Sequence, residues 1–142
     1  MRRFSRDGVS ATTLASLRQE SGVSVGSFYH HFASKEHVFG VLYHDICRGY
    51  YDAFLKELLR HDDARSGIEA IVAMHMKWCL DNPERARVFI SERPPRRHEP
   101  GGPEIAETRR AFLRQVADWW RPHMKARVLR EVPPTLCYVL WL

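Results

Sequence analysis

The sequence predicts an all-α protein, and three observations support that prediction. Apolar residues recur at three- and four-residue intervals along most of the 142-residue chain, which is the spacing of helices with one buried face. No stretch of six residues alternates cleanly between apolar and polar side chains, as a half-buried strand would. Residue types that begin and end helices appear at short intervals. We therefore expect helices in succession and no sheet.

The first part of the chain predicts two short helices joined by a tight turn. One runs from about residue 13 to 21, with Thr12 as its N-cap and Gly22 after its last turn. The next begins after the N-cap Ser24 and ends near Phe32. Two short helices around a glycine turn form a helix-turn-helix pattern.

A longer helix is predicted from Ser34 to about residue 60. An apolar residue occupies every fourth position from Val38 to Leu58, and such residues line one helix face. The capping-box pair Ser66 and Glu69 marks the start of the next helix.

The remaining helices are separated by proline-containing breaks. Asn82-Pro83 ends one helix and starts another. Proline and glycine make residues 94–103 a loop. Pro122 is expected to kink or interrupt the helix that follows. The predicted ranges are 66–82, 84–92 and 104–130, and the apolar residues 134–142 begin a further buried helix that we expect to be incomplete.

Positive charge is concentrated in the second half of the chain. The net charge is +5, and residues 85–130 hold twelve Lys or Arg against five Asp or Glu. One interpretation is a solvated, arginine-rich surface. The other is a surface for nucleic acid or another acidic partner. A protein that bound nucleic acid through this surface without sequence specificity would bind all DNA sequences equally well.

The segment from Phe4 to Phe39 resembles the DNA-binding segment of the TetR family of bacterial transcriptional regulators. The specific part of the resemblance is the string GVSVGSFYHHFASKE at residues 22–36. The residues in register with the family pattern are Phe4, Gly8, Thr12, Thr13, Leu14, Leu17, Gly22, Val23, Ser24, Gly26, Phe28, Tyr29, His31, Phe32, Ser34, Lys35 and Glu36.

The resemblance implies a sequence-specific DNA-binding regulator, a repressor released by a small lipophilic ligand. Residues 1–45 would be the DNA-binding domain, lacking the family's first helix, and residues 46–142 a C-terminally incomplete effector-binding and dimerisation domain. The expected partners are a palindromic double-stranded operator, an unidentified effector and a second copy of the chain. Because the chain ends within its last helix, we expect it to dimerise weakly. The expected location is the bacterial cytoplasm.

The predicted DNA-binding residues surround the second short helix. Val25, Gly26 and Ser27 lie at its N-terminal end, which faces the bases in helix-turn-helix proteins, and His30 lies one turn further. The resemblance places Thr12, Thr13, Tyr29 and Lys35 at positions that usually contact phosphates, and the hydroxyl of Ser24 suits the same task. Thr12 and Ser24 also act as helix caps in this prediction, whereas Phe28 and Phe32 belong to the core. Without the missing helix, Leu17, Phe28 and Phe32 would be partly uncovered.

An effector pocket is predicted in the second half of the chain, mostly from the resemblance. An apolar pocket with one or two polar groups would bind a small lipophilic ligand, although aromatic and Met residues at helical spacing usually form core. The candidate lining residues are Met74, His75, Trp78, Phe89, Phe112, Val116 and Trp119.

Enzymatic function is not predicted. The sequence contains no phosphate-binding loop, no G-x-S-x-G and no H-E-x-x-H. His44 and Cys47 alone do not make a metal site, and no cofactor or catalytic residue is assigned. No apolar run approaches the roughly 18–20 residues that span a bilayer.

The alternative function is a helical ligand-binding or protein-interaction module that has lost DNA binding together with its first helix.

Overall fold

A computed structural model describes residues 1–129 and confirms the all-α prediction for that part of the chain. Its seven helices are α1 (Arg2–Ala11), α2 (Leu14–Ser21), α3 (Val25–His31), α4 (Lys35–Leu58), α5 (Ala64–Asp81), α6 (Pro83–Ser91) and α7 (Gly102–Lys125). The apolar segment predicted at 134–142 lies outside the described residues. Among residues 1–129, no helix is both long and apolar enough to cross a membrane.

Helix α1 corrects the sequence analysis, which placed no helix before residue 13. Gly8 interrupts the helix with φ 76° and ψ 168°, so the sequence around it lacks the pattern of a continuous helix. An ion pair and burial of an aromatic side chain stabilise it. Arg3 pairs with Asp7 one turn away at 3.8 Å, and Phe4 is only 1% exposed. Packing on α6 therefore compensates for a poor local helix signal.

Two helix starts also differ from the prediction. The N-cap of α2 is Thr13 rather than Thr12, and it forms a reciprocal capping box with Ser16. Helix α5 begins at Ala64, and the carboxylate of Asp63 accepts the Ser66 N–H at 2.8 Å. In both places another polar residue close by caps the helix instead.

The course of α7 differs at both ends from the predicted 104–130. The helix begins at Gly102 and continues through Pro122 to Lys125. Arg127 then adopts a positive φ of 57°, in the left-handed region where helices commonly end. The predicted loop at 94–103 is confirmed as far as Gly101, because Pro103 lies in the first helical turn, where its missing N–H costs nothing.

Two compact units share the chain, and α4 and α7 each contribute to both. The first contains Met1–Cys47 and Asn82–Ala106. Its core includes Phe39, whose ring lies 5.4 Å from that of Phe4 and 5.4 Å from that of Tyr43. This core supports the helix-turn-helix segment.

The second unit contains Arg48–Asp81 and the chain from Glu107 onward. Phe112 stacks on Tyr51 with ring centroids 4.2 Å apart, and it meets Phe54 edge-on at 5.1 Å. Trp119 packs so closely on Gly67 that a β-carbon at residue 67 would overlap its ring. The core of this unit is therefore mainly aromatic.

Candidate nucleic-acid interface

Helices α2 and α3 form the predicted helix-turn-helix, with a turn of three residues between them. Gly22 ends α2 with φ 68°, a conformation that glycine adopts without strain. The hydroxyl of Ser24 then accepts the Ser27 N–H at 3.4 Å and caps α3. The prediction for the end of α2 and the start of α3 is confirmed.

Helix α3 has one anchored side and one open side. Phe28 is 5% exposed and Leu17 on α2 is 7% exposed, which confirms the predicted core role of Phe28 and shows that neither side chain is left uncovered. The open side is formed by Ser24, Val25, Gly26, Ser27, Tyr29 and His30, all of which are exposed. This is the surface that the sequence analysis assigned to DNA.

Gly26 has no structural reason within the described residues to lack a side chain. A β-carbon added there would have no atom within 4 Å, and the backbone φ is not positive. Glycine inside a helix costs roughly 0.5–1 kcal/mol relative to alanine. Its presence on the open side of α3 is typical of a surface that another molecule approaches closely.

Thr12 and Lys35 hold α1 in place in this structure. Thr12 is 2% exposed, and its hydroxyl donates to the carbonyl of Gly8 at 2.7 Å. The Lys35 ammonium donates to the carbonyls of Val9 and Ser10, both at 3.0 Å. These contacts differ from the phosphate contacts predicted for the two residues, and for Thr12 they leave the side chain inside the protein.

Glu92 was not anticipated from the sequence. Its carboxylate accepts the Val9 N–H at 3.3 Å, so the break in α1 at Gly8 is held by α6 as well as by Lys35. Only the position of Glu92 at the end of α6 could have suggested a role, and its partner is 83 residues away in sequence. Sequence spacing alone does not identify such a contact.

A cleft of about 270 Å³ lies beside this contact, lined in part by Val9, Phe39, Glu92 and Glu99. Hydrogen bonds from the Arg93 guanidinium and then from the Arg96 N–H lower the pKa of Glu99 to about 2. Glu99 is therefore ionised at neutral pH and fixes the loop before α7.

Residues 1–42 match the family model described as "Bacterial regulatory proteins, tetR family". This N-terminal segment is therefore similar to the TetR family. The match covers the whole helix-turn-helix and the first turns of α4, so the resemblance seen in the sequence is confirmed. TetR proteins are transcription regulators, which agrees with the expectation that this chain is not an enzyme.

A crystal structure at 2.10 Å resolution shares the TetR fold with this chain. It is described as a candidate TetR family transcription regulator from Shewanella sp. PV-4. The two are 23% identical, with a TM-score of 0.79 over 99% of this chain and 76% of that one. The likeness therefore extends the shared fold well beyond the helix-turn-helix. No curated protein matched the sequence.

The seven residues predicted to line an effector pocket are divided between the two units. Phe89 belongs to the first, where the Tyr43 hydroxyl donates to its carbonyl at 3.4 Å. Met74, His75, Trp78, Phe112, Val116 and Trp119 belong to the second. Phe89 is thus part of the unit that carries the helix-turn-helix.

Several of these side chains have identifiable packing contacts. The Trp78 ring lies edge-on to Tyr50 at 5.0 Å, and His75 Nδ1 lies 2.8 Å from the Tyr50 hydroxyl. Burial, with a smaller effect of Cys79, raises the pKa of Tyr50 to about 12, so its hydroxyl stays protonated. Trp119 donates its indole N–H to the His61 carbonyl at 2.7 Å. A ligand role for these residues stays a prediction.

Ion pairs engage part of the basic second half. Arg85 pairs with Asp45, Arg93 with Glu99, Arg110 with Glu107 and Arg121 with Asp118, at 2.7–2.9 Å. Arg110 and Arg121 pair with carboxylates three residues away on the same helix, which is typical of a solvated helix face. Within residues 1–129, no three His, Cys, Asp or Glu side chains are grouped to hold a metal ion.

Proposed function

We propose that this TetR family regulator binds a specific DNA operator through α3 and releases it when a small lipophilic effector binds its helical body. Residues 1–45 would form the DNA-binding domain, and residues 46–142 would bind the effector and dimerise. The protein would act as a repressor in the bacterial cytoplasm. The open side of α3, with its unhindered Gly26, is the observation that carries this proposal.

The shape of α3 suits entry into a major groove. The groove is about 12 Å wide and accepts one helix, and the side chains at residues 25–27 are small. Ser27 can hydrogen-bond a base edge, while Thr13, Ser24, Tyr29 and His30 are exposed and carry polar groups that can hydrogen-bond phosphate. Lys35 adds a positive charge close by, although its ammonium also holds α1.

The effector proposal rests on one buried polar group in the second unit. Trp120 Nε1 is buried and has no hydrogen-bond acceptor within the described residues. Buried donors almost always have an acceptor, and an oxygen of a bound ligand would supply one. Trp119, one of the predicted lining residues, lies beside it with ring centroids 5.9 Å apart.

The chain alone is expected to dimerise weakly, but two copies bound side by side on one operator would let two α3 helices read a palindrome. In helix-turn-helix dimers the half-sites lie one helical turn apart, about 34–36 Å. A ligand that changes the spacing of the two α3 helices would lower operator affinity.

Binding-site selection from random double-stranded DNA tests the proposal. The full chain is expected to enrich a palindromic motif and to bind it about 10³-fold or more tightly than scrambled DNA at the same salt concentration. Enrichment of a single half-site would contradict the palindromic dimer. No enrichment, or equal affinity for both DNAs, would contradict the proposed function and favour a body that no longer recognises DNA.

A further inference from the structure

Val25 is an apolar side chain that the chain leaves uncovered at the start of α3. It is 56% exposed, and its immediate neighbours Ser24, Gly26 and Ser27 are small and exposed as well. Single exposed apolar residues are common on protein surfaces. This one, however, lies beside the glycine whose missing side chain has no explanation within the described residues.

The hydroxyls of Ser24 and Ser27, on either side of Val25, differ in their hydrogen bonds. The Ser24 oxygen accepts the Ser27 N–H and is part of the helix cap. Within residues 1–129 the Ser27 hydroxyl donates no hydrogen bond, which suits readout of a polar base edge. Val25 has no polar atom in its side chain, so it can distinguish bases only through apolar contact.

The major groove offers one apolar group, the 5-methyl group of thymine. We propose that Val25 is a specificity-determining residue that contacts a thymine methyl group in each operator half-site. This inference rests on the proposed function and adds the chemical group of the operator that Val25 recognises. Ser27 reads hydrogen-bonding groups beside it, while Gly26 lets the helix approach closely enough for a van der Waals contact.

Replacement of thymine by uracil tests the assignment because it removes only the methyl group. The operator is first selected from a synthetic library, in which thymine is the only source of pyrimidine 5-methyl groups. Each thymine of the selected half-site is then replaced in turn by deoxyuridine, symmetrically in both half-sites. Affinities are measured for the wild type, for V25A, and for V72A as a control at an exposed valine of α5 (46% exposed).

At one position, the wild type and V72A are expected to bind the uracil operator about fourfold more weakly per half-site, the usual effect of one buried methyl group. V25A is expected to bind the thymine and uracil operators equally. The assignment is overturned if no position is sensitive to uracil, or if V25A is as sensitive as the wild type. Failure of the selection itself contradicts the proposed function, so the two failures are distinguishable.

Discussion

The ammonium of Lys35 lies 3.0 Å from the carbonyl oxygen of Val9, joining the first turn of α4 to the end of α1. A second hydrogen bond reaches Ser10 at the same distance. A positive charge at the C-terminal end of a helix also interacts favourably with the helix dipole. Lys35 therefore contributes to the position of the helix-turn-helix independently of any contact with DNA.

Replacing Lys35 by methionine should lower the free energy of unfolding by about 1 kcal/mol. Hydrogen bonds from charged groups contribute roughly 1.5–3 kcal/mol, and partial exposure reduces this value. Urea denaturation measures the change. K77M is the control, because Lys77 makes an exposed ion pair with Asp81 and should contribute little. Equal stability of K35M and the wild type would contradict this contribution of Lys35 to the fold.

Replacing Tyr29 by phenylalanine should weaken DNA binding by about two- to tenfold, the usual effect of one hydrogen bond. The loss should be the same for selected and scrambled DNA, because phosphate contacts carry no sequence information. The slope of affinity against salt should stay unchanged, since the hydroxyl is neutral and releases no counterion. A loss confined to the selected operator would instead make Tyr29 a base-reading residue.

Replacing Gly67 by alanine should destabilise the second unit by about 1–3 kcal/mol, as overpacking of a core usually does. The new β-carbon would overlap the Trp119 ring and displace the indole that donates to His61. Urea unfolding followed by tryptophan fluorescence measures the effect. G49A is the control, since a β-carbon at Gly49 meets no atom within 4 Å. Similar stabilities of G67A and G49A would contradict the described packing.

The Glu99 carboxylate should stabilise the protein near neutral pH and lose that effect in acid. Its pKa falls from 4.5 to about 2 on folding, so the folded state favours the ionised form. The stability advantage of the wild type over E99Q should be complete above pH 4.5 and decline as the pH falls towards 2. R93Q removes the guanidinium that is the main cause of the lowered pKa of Glu99, so in that variant the advantage of Glu99 over glutamine should depend less on pH. An advantage that is constant from pH 6 to 2 would contradict the assignment.

The helix-turn-helix was predictable because its determinants are local. Gly22 and Ser24 mark the turn within three residues of each other, and the structure places both as expected. Helix α1 was missed because its stability depends on packing against α6, which is more than 70 residues away in sequence. For the same reason the sequence did not predict that Lys35 and Glu92 would hold the Val9 backbone.

The pocket residues show a different limit of sequence reasoning. Helical spacing predicts which side chains face inwards, but it does not distinguish packing from ligand contact. Trp119 illustrates this, because its ring packs on Gly67 and its N–H reaches His61. Neither partner is close to Trp119 in sequence.

The most direct test of DNA reading by α3 compares G26A with G49A. Both glycines lie in helices with open space around the missing β-carbon, so both variants should be as stable as the wild type or more stable by up to about 1 kcal/mol. Only Gly26 lies on α3. G26A should therefore bind the selected operator about tenfold or more weakly, because a displaced α3 loses base contacts of roughly 1–3 kcal/mol each, while G49A binds normally. If a stable G26A bound the selected operator as tightly as the wild type, the proposal that α3 reads DNA would be contradicted.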